Sequence, residues 1–146
     1  MTRMAVKALD KLAKLKRRPP EQDLPASHVT GIRGEEEAYF HLRRLGYVMV
    51  ARNFRSPRRH GEIDLIGWDA ETLCFIEVKS RTTREVKPAE AAVDRHKQED
   101  LLAVARDYLR RVAGRPACRF DIVSIYFDRP DAAPDLTLFK NAFPMI

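Results

Sequence analysis

Three charged side chains inside two short apolar strands constrain this chain more than any other feature. Residues 61–81, GEIDLIGWDAETLCFIEVKSR, read as the strands GEIDLIGW and TLCFIEVKS joined by the turn-like Asp69-Ala70-Glu71. Side chains alternate across a strand, so Glu62, Asp64, Ile66 and Trp68 are expected on one face, as are Leu73, Phe75, Glu77 and Lys79. A tight turn about Ala70-Glu71 pairs 69 with 72, 66 with 75 and 64 with 77. Asp64 and Glu77 then stand opposite each other, with Cβ atoms about 4.5–5.5 Å apart. Such a pair repels unless a proton or a cation lies between the carboxylates. Two carboxylates on one sheet face supply the hard oxygen donors that Mg²⁺ and Mn²⁺ prefer. The same register sets Lys79 opposite Glu62. A plainer reading stands beside this one: a cross-strand Glu62–Lys79 salt bridge, with Asp64 and Glu77 on a solvated face. A three- or five-residue loop would break the pairing altogether. Glu62 and Glu71 read as surface residues.

At 146 residues, with 45% apolar and 33% charged residues, the chain is long enough for one domain with a proper core and is globular in composition. It has no run of 18 apolar residues and no apolar signal core at its N-terminus, so a cytoplasmic protein with no membrane span is expected. Cys74 and Cys118 lie in separate apolar runs and read as reduced core residues; His28, His41, His60 and His96 are too scattered to form a ligand cluster.

The net charge of +6 is concentrated in residues 1–18, which hold seven basic residues against Asp10 alone. The rest of the chain is therefore neutral. Within it, residues 38–61 carry Arg43, Arg44, Arg52, Arg55, Arg58 and Arg59 with no acid and run directly into the Glu62–Asp64 strand. A positive stretch beside a carboxylate site suits a polyanionic substrate. A solvated loop would have the same composition.

Residues 1–18 read as a mobile basic tail and 19–30, PPEQDLPASHVT, as a linker with three prolines, so the folded domain is expected over 31–146. Ala38, Leu42 and Leu45 at helical spacing predict a helix over 31–45, ended by Gly46. A strand over 46–54, the loop RSPRRH and the hairpin follow. A polar segment, 82–88, precedes a second helix from Pro88 to Val112, with Ala92, Leu101, Leu102, Ala105, Tyr108 and Leu109 on its apolar face. CRFDIVSIYF at 118–127 and LTLFKNAF at 136–143, an edge strand, complete the order α-β-β-β-α-β-β. This order predicts an α/β fold, a mixed β-sheet flanked by α-helices.

With these elements placed, the pattern resembles the PD-(D/E)xK nuclease superfamily, whose signature is an Asp on one strand and Glu-x-Lys on the next. Here these are Asp64 and Glu77-Val78-Lys79. Gly34-Glu35, Ala38, Leu42, Gly46-Tyr47, Arg52-Asn53-Phe54, GEIDLI at 61–66, FIEVKSR at 75–81, Lys97, RFDIV at 119–123 and NAF at 141–143 together resemble the bacterial YraN family, which is similar to archaeal Holliday junction resolvases. The resemblance covers residues 31–146 and implies a restriction-endonuclease-like fold.

It also implies roles. Asp64 would be the central metal ligand and Glu77 the second carboxylate, with the Val78 carbonyl beside the metal. Glu35 would be a further ligand from the first helix, with Glu36 and Glu37 as competing choices. Lys79 would orient or polarise the attacking water. Arg52, Arg55, Arg58, Arg59, Ser80 and Arg81 would contact phosphates, and Lys97 would face the site from the second helix, where a surface lysine is the plainer reading. The implied function is an Mg²⁺- or Mn²⁺-dependent endonuclease acting on DNA, including branched or structured DNA. The alternatives are a nucleic-acid-binding module without turnover and a partner scaffold. By analogy with the resolvases, a homodimer is a further expectation.

Overall fold

The computed structural model describes residues 26–82, 93–129 and 131–145. The expected tail, most of the linker, the polar segment from residue 83 onward and residues 88–92 of the expected second helix lie outside them. Helix α1 (Ala26–Arg44) is followed by β1 (Val48–Arg55), β2 (Glu62–Asp69), β3 (Thr72–Arg81), α2 (Arg95–Leu109), β4 (Cys118–Tyr126) and β5 (Asp135–Phe143). The five strands form one sheet in chain order. Only the β3–β4 pairing is parallel, and α2 provides its crossover; β1–β2, β2–β3 and β4–β5 are antiparallel. This is the mixed α/β sheet expected from the sequence, consistent with a restriction-endonuclease-like fold, and β5 is an edge strand.

The helix ends follow local chemistry. Gly46, at φ 95°, closes α1, with Gly46 N–H donating to Arg43 O and Tyr47 N–H to Leu42 O, both at 3.0 Å. This pairing satisfies carbonyls that the last turn would otherwise leave open. The start of α1 differs from expectation: it begins at Ala26 rather than near Gly31. All three prolines of the expected linker precede Ala26, so none interrupts the helix. Asp94 caps α2 by accepting the Lys97 N–H at 2.9 Å, a bond worth about 1 kcal/mol. The helix thus begins at Arg95 and ends at Leu109, short of Val112.

Each face of the sheet carries a helix. Ala38, Tyr39 and Leu42 of α1 pack with Leu65, Cys74, Ile76, Val123 and Ile125. Leu101, Leu102, Val104 and Ala105 of α2 pack with Ile66, Leu73, Phe75, Phe120 and Ile122. Burying each large apolar side chain contributes about 1.5–3 kcal/mol. Gly34 allows α1 to approach closely: a Cβ at that position would lie 1.8 Å from Ser80 Oγ and 3.1 Å from Ser80 Cβ. Ser80 therefore lies under α1 and fixes the height of the neighbouring Glu35 above the sheet.

The far end of the β2–β3 hairpin is held by a polar knot. Arg119 donates through Nε to the fully buried Asp121 at 2.9 Å and through Nη2 to Asp69 Oδ2 at 2.7 Å and the Tyr47 hydroxyl at 3.0 Å. Asp121 also accepts the Asn141 N–H at 3.0 Å, where the β4–β5 register shifts between Phe120 and Ile122 and Asn141 adopts φ 54°.

Candidate metal centre

The hairpin register runs as expected from Asp69–Thr72 through Ile66–Phe75 to Leu65–Ile76. Asp64 and Glu77, the next step, fall outside this ladder. Instead, Asp64 Oδ2 accepts the backbone N–H of Val78 at 2.8 Å. Strict alternation also fails here. Ile63 and Ile66 both belong to the α2 cluster, whereas Leu65 belongs to the α1 cluster. The neighbouring strand changes face at the same level: Arg52 lies over the Tyr39 ring of α1, whereas Phe54 packs edge-on against Tyr108 of α2. Between them Asn53 sits at φ 51°, a left-handed conformation that Asn tolerates better than most residues. The local twist that frees Asp64 from the ladder is therefore shared by β1 and β2.

Glu35, Glu62 and Asp64 converge, each offering a carboxylate oxygen within 4.8 Å of the others. Asn53 ties two of them together, its Nδ2 donating to Glu35 Oε2 at 3.1 Å and to Glu62 Oε1 at 2.8 Å. Glu62 also takes Arg55 Nε at 2.5 Å. The expected Glu62–Lys79 pairing and the surface reading of Glu62 are thus corrected. Once β2 leaves the ladder, Glu62 turns to its β1 neighbours and joins the acidic cluster. Its signal in the sequence was proximity to Asp64; for Asn53 it was a turn-favouring residue inside a strand.

On the other side of Asp64 lies Glu77. Burial is the main reason the Asp64 carboxyl is pushed up to about 9, with the Glu77 contact and its charge adding to this and the Val78 N–H opposing it. Glu77 is 5% exposed, and its Oε2 has no hydrogen-bond partner. Lys97 Nζ stands 3.4 Å from that oxygen, at ion-pair distance but without hydrogen-bond geometry. Lys79 and Lys97 respond in opposite directions. Burial, then Lys97, lowers the Lys79 pKa against the pull of Glu77. Burial also works against the charge on Lys97, but Glu77 and the contact with Lys79 outweigh it and raise its pKa.

The predicted ligands Glu35, Asp64 and Glu77 thus lie in one place, with Lys79 and Lys97 beside them. Val78 contributes its N–H to Asp64. Ser80 packs against Gly34. Arg81 Nε is buried without a hydrogen-bond partner, while its carbonyl accepts the Phe127 N–H at 2.9 Å. Arg58 and Arg59 are exposed in the loop after β1, which is pinned to α2 by the Ser56 hydroxyl bonded to Asp107. No described helix is long and apolar enough to cross a membrane.

Residues 34–125, which contain every residue of this cluster, match the sequence model of Uncharacterised protein family UPF0102. The chain belongs to the UPF0102 family. It is 53% identical over 142 residues to a UPF0102 protein of Koribacter versatilis, covering 97% of this chain and 94% of the relative. It is 42% identical over 120 residues to a UPF0102 protein of Solibacter usitatus, covering 82% and 87%. A UPF0102 protein of Herminiimonas arsenicoxydans is 38% identical over 117 residues, covering 80% and 88%. UPF0102 is the YraN family named from the sequence motifs, and the match to Koribacter versatilis extends across nearly the whole chain.

Proposed function

We propose that this UPF0102 protein is a divalent-metal-dependent nuclease that hydrolyses phosphodiester bonds in DNA. The observation that carries this reading is the Glu35–Glu62–Asp64 convergence, with the buried Glu77 carboxylate next to an Asp64 carboxyl whose pKa is raised. Carboxylates gathered this closely in a partly buried place are costly unless a proton or a cation lies among them. The donors are all hard oxygens, the set suited to Mg²⁺ or Mn²⁺.

Glu35, Glu62, Asp64 and Glu77 would hold the cation, and Asn53 would keep Glu35 and Glu62 oriented toward it. When bound, the cation would relieve charge on the phosphoryl oxygens and lower the pKa of a coordinated water. Lys79, whose pKa is lowered by burial and by Lys97, would orient or polarise the attacking water. Lys97, whose pKa is raised, offsets the Glu77 charge and would contact the substrate phosphate. The surrounding arginines would hold the backbone of the substrate with salt-sensitive, largely sequence-independent affinity.

The test is cleavage of labelled linear, flapped and four-way-junction DNAs in Mn²⁺, Mg²⁺ or EDTA by the wild type, Asp64→Asn and Lys79→Ala. Cuts that require metal and vanish in both variants support the reading, and the preferred DNA gives the substrate shape. Binding without cuts on every substrate in every metal would contradict it and leave a nucleic-acid-binding module.

A further inference from the structure

One open groove is lined by Arg52, Asn53, Phe54, Arg55, Glu62 and Arg111. It places three guanidinium-bearing residues against a single carboxylate, and that carboxylate belongs to the acidic cluster. The groove and the cluster share Glu62, and Asn53, on the groove wall, is hydrogen-bonded to both Glu62 and Glu35. The groove therefore runs along β1 and opens onto the candidate metal centre.

Two features keep it positive. Arg52 lies 4.5 Å from the centre of the Tyr39 ring, and its Nη2 is buried with no hydrogen-bond partner. Arg55 spends Nε on Glu62, yet its side chain is 76% exposed, leaving the rest of its fork for another acceptor. The third cation comes from a distant part of the sequence. Arg111, just past the end of α2, lies 5.2 Å over the Phe54 ring and is exposed. The Ser56–Asp107 bond and the Phe54–Tyr108 contact bring this end of α2 against β1.

We infer that this groove is the track for the phosphate backbone of a bound DNA strand, with Arg111 as a phosphate contact that delivers the strand to the acidic cluster. This inference rests on the nuclease reading and adds the route by which the substrate enters. Guanidinium forks match phosphate geometry, and a stacked arginine is pre-organised for that contact. The groove is narrow in its demand: it needs repeated negative charge along a line, which a nucleic-acid backbone supplies and a small anion does not.

The experiment measures anisotropy of a labelled DNA with the full chain in Ca²⁺, a cation chosen to permit binding without cleavage, across a salt series. It compares the wild type with Arg111→Gln, Arg111→Lys and Lys140→Gln. Lys140 pairs with Asp69 at the opposite end of the hairpin and changes the net charge equally when replaced. The expected result is about three- to ten-fold weaker binding for Arg111→Gln, a salt slope reduced by about one, and recovery of the slope in Arg111→Lys. Lys140→Gln should match the wild type. If Arg111→Gln binds like the wild type while the wild type still cuts DNA in Mn²⁺, the groove is refuted and the nuclease reading stands. If binding depends on Arg111 but no condition gives cuts, the groove stands and the nuclease reading falls. Absence of DNA binding by the wild type refutes the groove outright.

Discussion

Asp64 Oδ2 accepts the backbone N–H of Val78 at 2.8 Å, in the place where a regular antiparallel ladder would offer a carbonyl. The bond joins β2 and β3 beyond the end of their backbone pairing and holds the Asp64 carboxylate where it converges with Glu35 and Glu62. Without a cation, the arrangement is electrostatically unfavourable, and this has measurable consequences.

The first concerns pH. Burial and the neighbouring Glu77 push the folded Asp64 carboxyl up to about 9, well above the ordinary aspartate value near 4. Between these values the folded protein holds a proton that the unfolded chain releases, so metal-free stability is highest below about pH 4 from this group and falls as pH rises toward 9. Asp64→Asn removes the titration, so the metal-free variant should melt several degrees higher than the wild type at pH 8. Thermal unfolding in EDTA from pH 6 to 9 checks this; a wild-type melting temperature parallel to that of Asp64→Asn would contradict it.

Asn53 combines two roles that substitution can separate. Asn53→Gly keeps the left-handed backbone and loses both carboxylate bonds; Asn53→Ala loses the bonds and also strains the backbone. Both variants should weaken Mn²⁺ binding about ten-fold, as loss of an orienting partner does at metal sites. Only Asn53→Ala should lose about 1 kcal/mol or more of additional stability. Calorimetric titration paired with urea unfolding distinguishes the two, and unchanged Mn²⁺ affinity in Asn53→Gly would remove Asn53 from the site.

Gly34 sets how closely α1 approaches β3. An alanine there meets Ser80 at Oγ and Cβ, so either the helix lifts or Ser80 shifts. Gly34→Ala should cost about 1–3 kcal/mol, and Gly34→Ala with Ser80→Gly should recover most of it. Because Glu35 follows directly, the single variant should also bind metal less tightly. Stability equal to wild type in Gly34→Ala would show that the contact yields freely.

The Arg119–Asp121 pair tests the opposite end of the sheet. Arg119→Met leaves the fully buried Asp121 with its Asn141 N–H but without its cation, and should cost about 3–5 kcal/mol by urea denaturation. A loss below about 1 kcal/mol would contradict a structural role for this ion pair. The same variant should leave Mn²⁺ affinity unchanged, since this knot lies away from Asp64.

Much of this architecture was legible in the sequence because its cues are local. Gly46 stops α1, the two-residue turn at Ala70-Glu71 sets the hairpin register, and apolar periodicity separates α2 from the strands. The convergence of Asp64 with Glu77 followed from that register even though the ladder stops one pair short of them. The start of α1 was missed because prolines mark where a helix is interrupted more clearly than where one begins after them. Glu62 was misplaced because alternation was carried through Asp64, and the break in alternation depends on Asn53 in the neighbouring strand. Arg111 gave no signal, since only the packing of α2 on β1 brings it to the groove.

The central claim is that these carboxylates converge to hold a divalent cation, and the most direct measurement is titration of Mn²⁺ into the metal-free protein at pH 7.5, with Asp64→Asn alongside. The account predicts saturable binding with proton release in the wild type, because the cation displaces the proton held at Asp64, and loss of both in Asp64→Asn. Equal binding by the two proteins, or none by the wild type, would contradict it.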